Sequence, residues 1–263
     1  MKFLISTITI FLFAIYFHPA TAQICGSNLN NVIHPGEEVK YKVFYTVGGA
    51  WTGTGEAAFT TSSTTYNGRA AYHIVGTGRT YSSYDWIFKV RDRYETYIDK
   101  EKLVPMKFKR NVSEGKTKFT NDVTFNHGSR TAKSDGRTFS IESCTQDVLS
   151  TIYFARNIDF SKYSVGSKIP FTLFLDNELH SLYIKYMGKT KIKTQYGTFN
   201  AIKIVPLLIE GTIFRGGEKM IVYVSDDDNH IPLRIETPIL VGNIKVDLMS
   251  YKNLRYPLSS KIQ

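Results

Sequence analysis

Cysteine and proline are scarce in this sequence, and each shortage excludes a class of protein. The 263 residues include only 2 cysteines and 8 prolines. Two cysteines cannot support a disulfide-dense scaffold or a zinc module built from several cysteines. The low proline content and the 42% of apolar residues exclude a disordered chain. The chain is therefore long enough and apolar enough to bury a sizeable core.

Acidic residues are also outnumbered, with 23 of them against 33 Lys and Arg, which gives a net charge of +10. The basic residues are spread along the chain without a basic block or an RNA-binding signature. We therefore expect no nucleic-acid partner. Attraction to an anionic envelope surface is the better explanation of the charge, and it allows peripheral association with the envelope.

Long hydrophobic runs are missing except at the N-terminus. Lys2 precedes an apolar run from Phe3 to Phe17, and a small-x-small sequence ends at Ala22. This pattern predicts a secretory signal peptide, residues 1–22, that is cleaved near Ala22. The run is shorter than the roughly 20 apolar residues that span a membrane. The sequence thus predicts an exported protein of the periplasm or the outer-membrane periphery, without a transmembrane segment in the mature chain.

The two cysteines are Cys25 and Cys144. In an oxidising compartment they favour one disulfide. The alternative is two free thiols, because spacing alone does not show that the two Cα atoms approach each other. Lipid attachment at Cys25 is not expected. A bacterial lipobox has a small residue directly before the cysteine and usually a leucine three residues before it, and these positions hold Ile24 and Ala22 here.

Alternation of apolar and polar residues dominates the rest of the chain. From Val39 to Val47 every second residue is apolar, which is typical of a half-buried strand. Similar runs recur between turn signals such as Asn67-Gly68. The pattern predicts an all-β protein, either a curved antiparallel sheet or an open or closed β-barrel-like meander, in one domain over residues 23–263. The predicted strands are 39–47, 51–61, 70–77, 85–98, 106–112, 118–125, 168–175, 179–187, 198–209, 219–224, 231–237 and 244–251.

One segment breaks this alternation. Apolar residues at 148, 149, 152 and 153 recur at helical spacing and predict one central helix, about residues 145–157, that joins two β halves. Its polar and aromatic residues form a set that we interpret as structural: Gln146, Asp147, Ser150, Tyr153 and Arg156.

Both ends of this helix carry residues that suit them. Thr145 is a candidate cap, and an acidic residue in the first turn and a basic one in the last turn complement the helix dipole. We expect Arg156 to fasten the helix to the sheet by pairing with a strand carboxylate such as Asp92 or Glu95.

The same helix residues resemble the signature of the DUF3108 family of exported bacterial proteins. Four further blocks agree with the family in order along the chain: Gly36–Val43, Val90–Pro105, Tyr196–Ala201 and Asp227–Pro232. The resemblance implies an envelope protein with a largely antiparallel, barrel-like β fold. Polysaccharide or cell-wall binding is a natural suggestion for such a family, and the resemblance implies no catalytic residues.

Aromatic residues make up 14% of the chain. Aromatic faces stack on sugar rings, which makes a group in the first half of the chain a candidate ligand-binding set. The set is Trp51, Tyr81, Tyr84, Trp86, Arg91 and Tyr94. The alternative is that Tyr and Phe only fill sheet faces, because both have high β propensity.

The sequence identifies no catalytic, metal-binding or cofactor-binding residues. There is no H-E-x-x-H motif, close cysteine pair, P-loop or nucleophile elbow. A glycosidase would need two facing carboxylates. Most candidate carboxylates lie on predicted alternating strands beside Lys or Arg, which is typical of a solvent-exposed face. The candidates are Asp92, Glu95, Asp99, Glu210 and Glu218.

Together these features favour an exported, non-catalytic binding protein for a glycan or another cell-envelope polymer. The alternative is a lipid or lipoprotein carrier with an apolar cavity beneath the helix. A glycoside hydrolase is the third candidate. The expected partner is thus an envelope polysaccharide or a lipid, and we expect no cofactor.

Overall fold

The structure, a computed structural model, describes residues 32–46, 50–210, 216–239 and 242–262. The expected signal peptide, its cleavage site and Cys25 lie outside these residues. Their assignments therefore stay predictions.

Fourteen antiparallel strands form one sheet in the described chain. The strands are β1 (Glu38–Thr46), β2 (Thr52–Tyr66), β3 (Arg69–Thr80), β4 (Arg91–Asp99), β5 (Pro105–Glu114), β6 (Thr117–Asn126), β7 (Thr131–Ser134), β8 (Arg137–Ser140), β9 (Lys168–Leu175), β10 (Glu178–Thr194), β11 (Gly197–Pro206), β12 (Ile221–Ser225), β13 (Pro232–Pro238) and β14 (Asn243–Lys252). Strands β1 to β8 pair in chain order, β9 to β14 do the same, and β1 joins the halves by pairing with β14. The edges are β8 and β9, so the sheet is not closed. The antiparallel pairing of strands in chain order confirms the predicted meander, in its open form.

A helix, α1 (Val148–Arg156), connects the two edge strands. It begins three residues later than predicted, because Gln146 pairs with the edge of the sheet and Asp147 caps the helix. The Gln146 amide donates to the Thr172 carbonyl at 2.8 Å, and the Phe174 amide donates to the Gln146 carbonyl at 2.9 Å. These bonds add a short parallel pairing to β9 and satisfy an edge that would otherwise present free backbone groups.

The core surrounds this helix. Leu149 packs in a buried cluster with Phe108 and Phe174, and so contacts both halves of the sheet. Phe154 belongs to a second cluster, formed with strands β9 to β12. Tyr153 packs in a third with Ile74 and Ile98. The apolar face of α1 is therefore buried by strands that are far apart in sequence.

Two strand predictions differ from the structure. The strand predicted over 85–98 begins only at Arg91, because residues Ser82–Tyr84 form a 3-10 turn and the chain up to Val90 is a loop. Strands β7 and β8 were not among the predicted strands. Each is four residues long, which is too short for a clear alternating pattern.

Candidate functional site

The connection from β3 to β4, residues 81–90, has the most exposed large apolar residue among the described ones. We call it the 81–90 loop. Trp86 is 82% exposed, and Ile87 and Phe88 are 54% and 44% exposed. The indole Nε1–H of Trp86 donates to the Ser83 carbonyl at 3.0 Å, which fixes the ring. The loop therefore presents an oriented aromatic face to solvent.

An ion pair closes the base of the 81–90 loop. The Arg91 guanidinium donates to both carboxylate oxygens of Asp85, at 2.6 and 3.1 Å. The Thr80 hydroxyl donates to the same carboxylate at 2.6 Å. The Thr80 hydrogen bond, together with the Arg91 guanidinium, holds the pKa of Asp85 below its usual range. Asp85 is therefore ionised at neutral pH and keeps the loop clamped.

The 81–90 loop also rests on the turn between β5 and β6. The Gly115 amide donates to the Lys89 carbonyl at 2.8 Å. A Cβ at Gly115 would lie 2.7 Å from the Phe88 ring, and Gly115 has φ +59°, so a side chain at this position would displace the ring. Phe88 thus holds the loop against its neighbour, while Trp86 and Ile87 project beyond it.

The structure brings together four of the six predicted ligand-binding residues. Tyr81, Tyr84 and Trp86 lie in the 81–90 loop, and Arg91 forms its base. Tyr94 does not join them. Its ring centroid lies 6.2 Å from that of Phe108 in the core, and burial raises the pKa of Tyr94 to about 12.

Trp51 lies in the connection between β1 and β2 and is 42% exposed. The Lys245 ammonium stands 4.6 Å from the centre of its ring. Because β1 and β3 run in the same direction, Trp51 and the 81–90 loop lie at the same end of the sheet.

The helix residues form a buried structural network. Asp147 is the N-cap, accepting from the amides of Leu149 and Ser150 at 2.8 and 2.9 Å. The Thr96 hydroxyl donates to its second oxygen at 2.5 Å. Burial raises the pKa of Asp147 to about 6. The cap is therefore Asp147 rather than Thr145, whose hydroxyl bonds the Glu142 carbonyl instead.

Arg156 fastens α1 to the sheet, but through a different partner from the expected one. Its guanidinium donates to both carboxylate oxygens of Glu37 at 2.6 and 2.8 Å, and to the Asn229 carbonyl at 3.1 Å. The expectation of Asp92 or Glu95 was wrong, because Asp92 accepts from a β5 amide and Glu95 bonds His73 and Arg93. Gln146, Ser150 and Tyr153 are buried as well.

Four of the five carboxylates considered for catalysis are held by other groups within the protein or lie on opposite faces of a strand. Asp92 and Glu95 are three residues apart on β4, and so they point to opposite faces of the sheet. Asp99 accepts from two backbone amides of the following turn. Glu218 accepts from the Tyr183 hydroxyl and the Lys185 ammonium. Within the described ranges, no group of three or more His, Cys, Asp or Glu is arranged to hold a metal ion.

A polar cavity of about 330 Å³, which the sequence did not indicate, lies at the C-terminal end of α1. Its lining includes Asp159, Asp228, His230 and the already paired Arg156. His230 Nδ1 lies 2.8 Å from the Arg156 carbonyl, so part of this lining is also engaged within the protein.

Cys144 is buried and carries no free thiol. Cys25 lies outside the described residues, so the bridge between the two cysteines stays a prediction. No helix of the described chain is long and apolar enough to cross a membrane.

One signal for the 81–90 loop was present in the sequence. Trp86, Ile87 and Phe88 are three consecutive large apolar residues, and they break the alternation of the strand that was predicted there. Such a break indicates either a strand buried on both faces or a segment outside the sheet.

Comparison with known proteins places the fold in context. Among curated proteins, no match is found. Among solved structures, the chain is similar to a beta-barrel-like protein of the domain of unknown function DUF1849 from Brucella abortus. The two share 10% identity, with 84% of this chain and 98% of that chain covered and a TM-score of 0.54. At this identity the likeness concerns the fold alone. The family model described as "Protein of unknown function (DUF3108)" matches residues 40–249, and the chain belongs to this family.

Proposed function

We propose that the protein is an exported, non-catalytic binding protein of the cell envelope. In this proposal it engages a glycan or another envelope polymer through the 81–90 loop. The observation that carries the proposal is the 82% exposure of Trp86 in a fixed orientation. An indole face stacks well on the apolar face of a sugar ring.

The rigidity of the loop supports this proposal. Asp85 and Arg91 clamp its base, and Phe88 packs on Gly115 at its side. A binding surface that is already ordered loses less conformational entropy when a ligand arrives. A loop held in this way is therefore suited to recognition.

Catalysis receives no comparable support. Asp92, Glu95, Asp99 and Glu218 each form hydrogen bonds or ion pairs within the protein. A glycosidase needs two carboxylates about 5–9 Å apart that flank one bond of the substrate. Because these carboxylates are already engaged by other groups of the protein, a binding role fits the described residues better.

The alternative of a lipid or lipoprotein carrier would need an apolar cavity. In the described interior, Leu149, Tyr153 and Phe154 of α1 pack into three buried clusters. The cavity near His230 is lined in part by charged groups, which suit acyl chains poorly. No specific observation therefore favours the carrier over the surface-binding proposal.

The proposed function is tested by measuring binding to solubilised cell-wall glycans, by glycan array and then by calorimetry. Trp86→Ala is expected to weaken binding by about tenfold or more, because Trp residues that a ligand covers are frequent binding hot spots. Tyr251→Ala is the control, since Tyr251 is 43% exposed but lies at the opposite end of the sheet. Equal binding by wild type and Trp86→Ala, or stronger loss in the control, would refute the assignment to this loop.

A further inference from the structure

Glycan stacking on Trp86 leaves the rest of the tip without a role. Ile87 follows it and is 54% exposed, and Phe88 is 44% exposed. A branched aliphatic side chain offers no flat face to a sugar ring. Contiguous exposed apolar residues mark a surface that another apolar phase covers.

Basic residues surround this tip. The hydrogen bond between Gly115 and Lys89 places Lys89 beside the turn that carries Lys116, and Lys118 follows this turn at the start of β6. All three lysines are exposed, and none of them forms an ion pair within the described part of the chain. The apolar tip is therefore bordered by unpaired positive charge.

The acidic residues nearby do not cancel this charge. Segments 81–91 and 114–118 contain four basic residues against two acidic ones, Asp85 and Glu114. Asp85 is bound by Arg91. The lysines are thus free to meet an anionic partner.

The second tryptophan repeats the arrangement at the same end of the sheet. Trp51 is 42% exposed, and the Lys245 ammonium lies 4.6 Å from its ring centre. Tryptophan prefers the boundary between water and lipid, where its ring is apolar and its N–H can hydrogen-bond. Both tryptophans of the chain therefore lie at this end, each beside lysine.

We propose that this end of the sheet docks on an anionic lipid surface. Trp86 and Ile87 enter the boundary between headgroups and acyl chains, while Lys89, Lys116 and Lys118 contact the headgroup phosphates. Apolar insertion combined with electrostatic attraction is the general basis of peripheral membrane binding. The docking does not depend on glycan binding, although both involve the 81–90 loop.

Vesicle co-sedimentation is the first test. Wild-type protein is expected to bind vesicles of phosphatidylglycerol and phosphatidylcholine more tightly than vesicles of phosphatidylcholine alone, and less tightly at high salt. Trp86→Ser with Ile87→Ser should weaken binding by about tenfold or more, because both apolar side chains are lost from the boundary. Lys89→Gln with Lys116→Gln should weaken it by about fivefold for each lysine.

A matched control carries the same kinds of change at the other end of the sheet. Val165 is 69% exposed and precedes β9, and Lys102 is exposed between β4 and β5. Val165→Ser with Lys102→Gln should leave vesicle binding unchanged. An equal loss in this control would mean that the 81–90 loop is not the docking site.

Fluorescence reads insertion directly, because the chain has only 2 tryptophans. In Trp51→Phe, Trp86 is the sole indole, and its emission should shift to the blue on adding phosphatidylglycerol vesicles. Lipids brominated on their acyl chains should quench it. Unchanged emission at saturating vesicles would overturn the proposal.

Two other occupants give different results. If a second copy of the chain covered the tip, Trp86→Ser with Ile87→Ser would abolish concentration-dependent self-association in the absence of lipid, and vesicles would not bind. That result would overturn lipid docking. Ile87→Ser separates the two proposals. Lipid docking predicts weaker vesicle binding with unchanged glycan binding, and the glycan proposal fails alone if the wild type binds only vesicles.

Discussion

Asp147 is subject to two opposing effects at the scale of a single residue. Hydrogen bonds from Leu149, Ser150 and Thr96 favour its charged form, whereas complete burial disfavours it. Burial is the larger effect and raises the pKa of Asp147 to about 6. The folded protein therefore holds a proton on this residue at pH values where the unfolded chain has lost it.

This residue makes stability depend on pH. Because the folded pKa lies above the unfolded one, the contribution is greatest below about pH 4 and is lost as pH rises through about 6. Relative to Asp147→Asn, wild type should lose up to about 3 kcal/mol of unfolding free energy between about pH 4 and pH 7. Urea denaturation of both proteins across this range measures the difference. A wild-type advantage that grows with pH would show that the hydrogen bonds prevail.

The exposure of Trp86 was not accessible from the sequence. A strand was predicted over 85–98, in which Trp86 would be half-buried, and the apolar run at 86–88 did not show whether this segment is buried or lies outside the sheet. Exposure follows instead from contacts between distant residues, Thr80 with Asp85 and Phe88 with Gly115. The sequence identified Trp86 as a candidate, and only the fold separates it from Tyr94, which is partly buried against the core.

At the scale of elements, α1 shows what a local pattern can and cannot predict. Apolar spacing at 148, 149, 152 and 153 predicted the helix correctly, because that spacing is a local property. The start at Val148 depended on β9, which pairs with Gln146. The partner of Arg156 is Glu37, 119 residues away, and no local signal connects the two.

The pair of Glu37 and Arg156 ties α1 to the sheet and is almost fully buried, at 1% and 3% exposure. Arg156→Met should cost about 3–5 kcal/mol of unfolding free energy, because it leaves a buried carboxylate without its partner. Arg156→Met with Glu37→Leu should recover much of this loss, since no charge is then left buried. Denaturant unfolding of Arg156→Met, Glu37→Leu and the double variant checks this. Simple additivity of the two single changes would contradict the pairing.

At the scale of the whole molecule, the segment after Cys144 connects the two halves of the open sheet. Gln146 pairs with β9, and Leu149 packs between the two halves. A covalent link at Cys144 would therefore brace the junction of the two edges. Fold class followed from composition and alternation, whereas this junction depends on contacts across the chain.

We predict that the protein, when folded in an oxidising compartment, contains the disulfide between Cys25 and Cys144. Mass spectrometry before and after reduction should show the loss of one bridge, and thiol titration of the folded protein should find no free thiol. Cys144→Ser should lower the unfolding free energy by at most about 4–5 kcal/mol, because the bridge closes a long loop. A linkage between two molecules would contradict the predicted bridge.

The central claim is that the protein binds with the exposed end of its sheet, around Trp86, and not with its interior. The most direct test is the emission of Trp86 as the sole tryptophan, in Trp51→Phe, during titration with solubilised cell-wall glycan and with phosphatidylglycerol vesicles. Binding at this end predicts a saturable change in the emission of Trp86 with at least one of the two ligands. In Trp86→Phe, where Trp51 is the sole tryptophan, the emission should not change on titration with glycan. An emission spectrum that stays that of a solvent-exposed indole with both ligands would contradict the account.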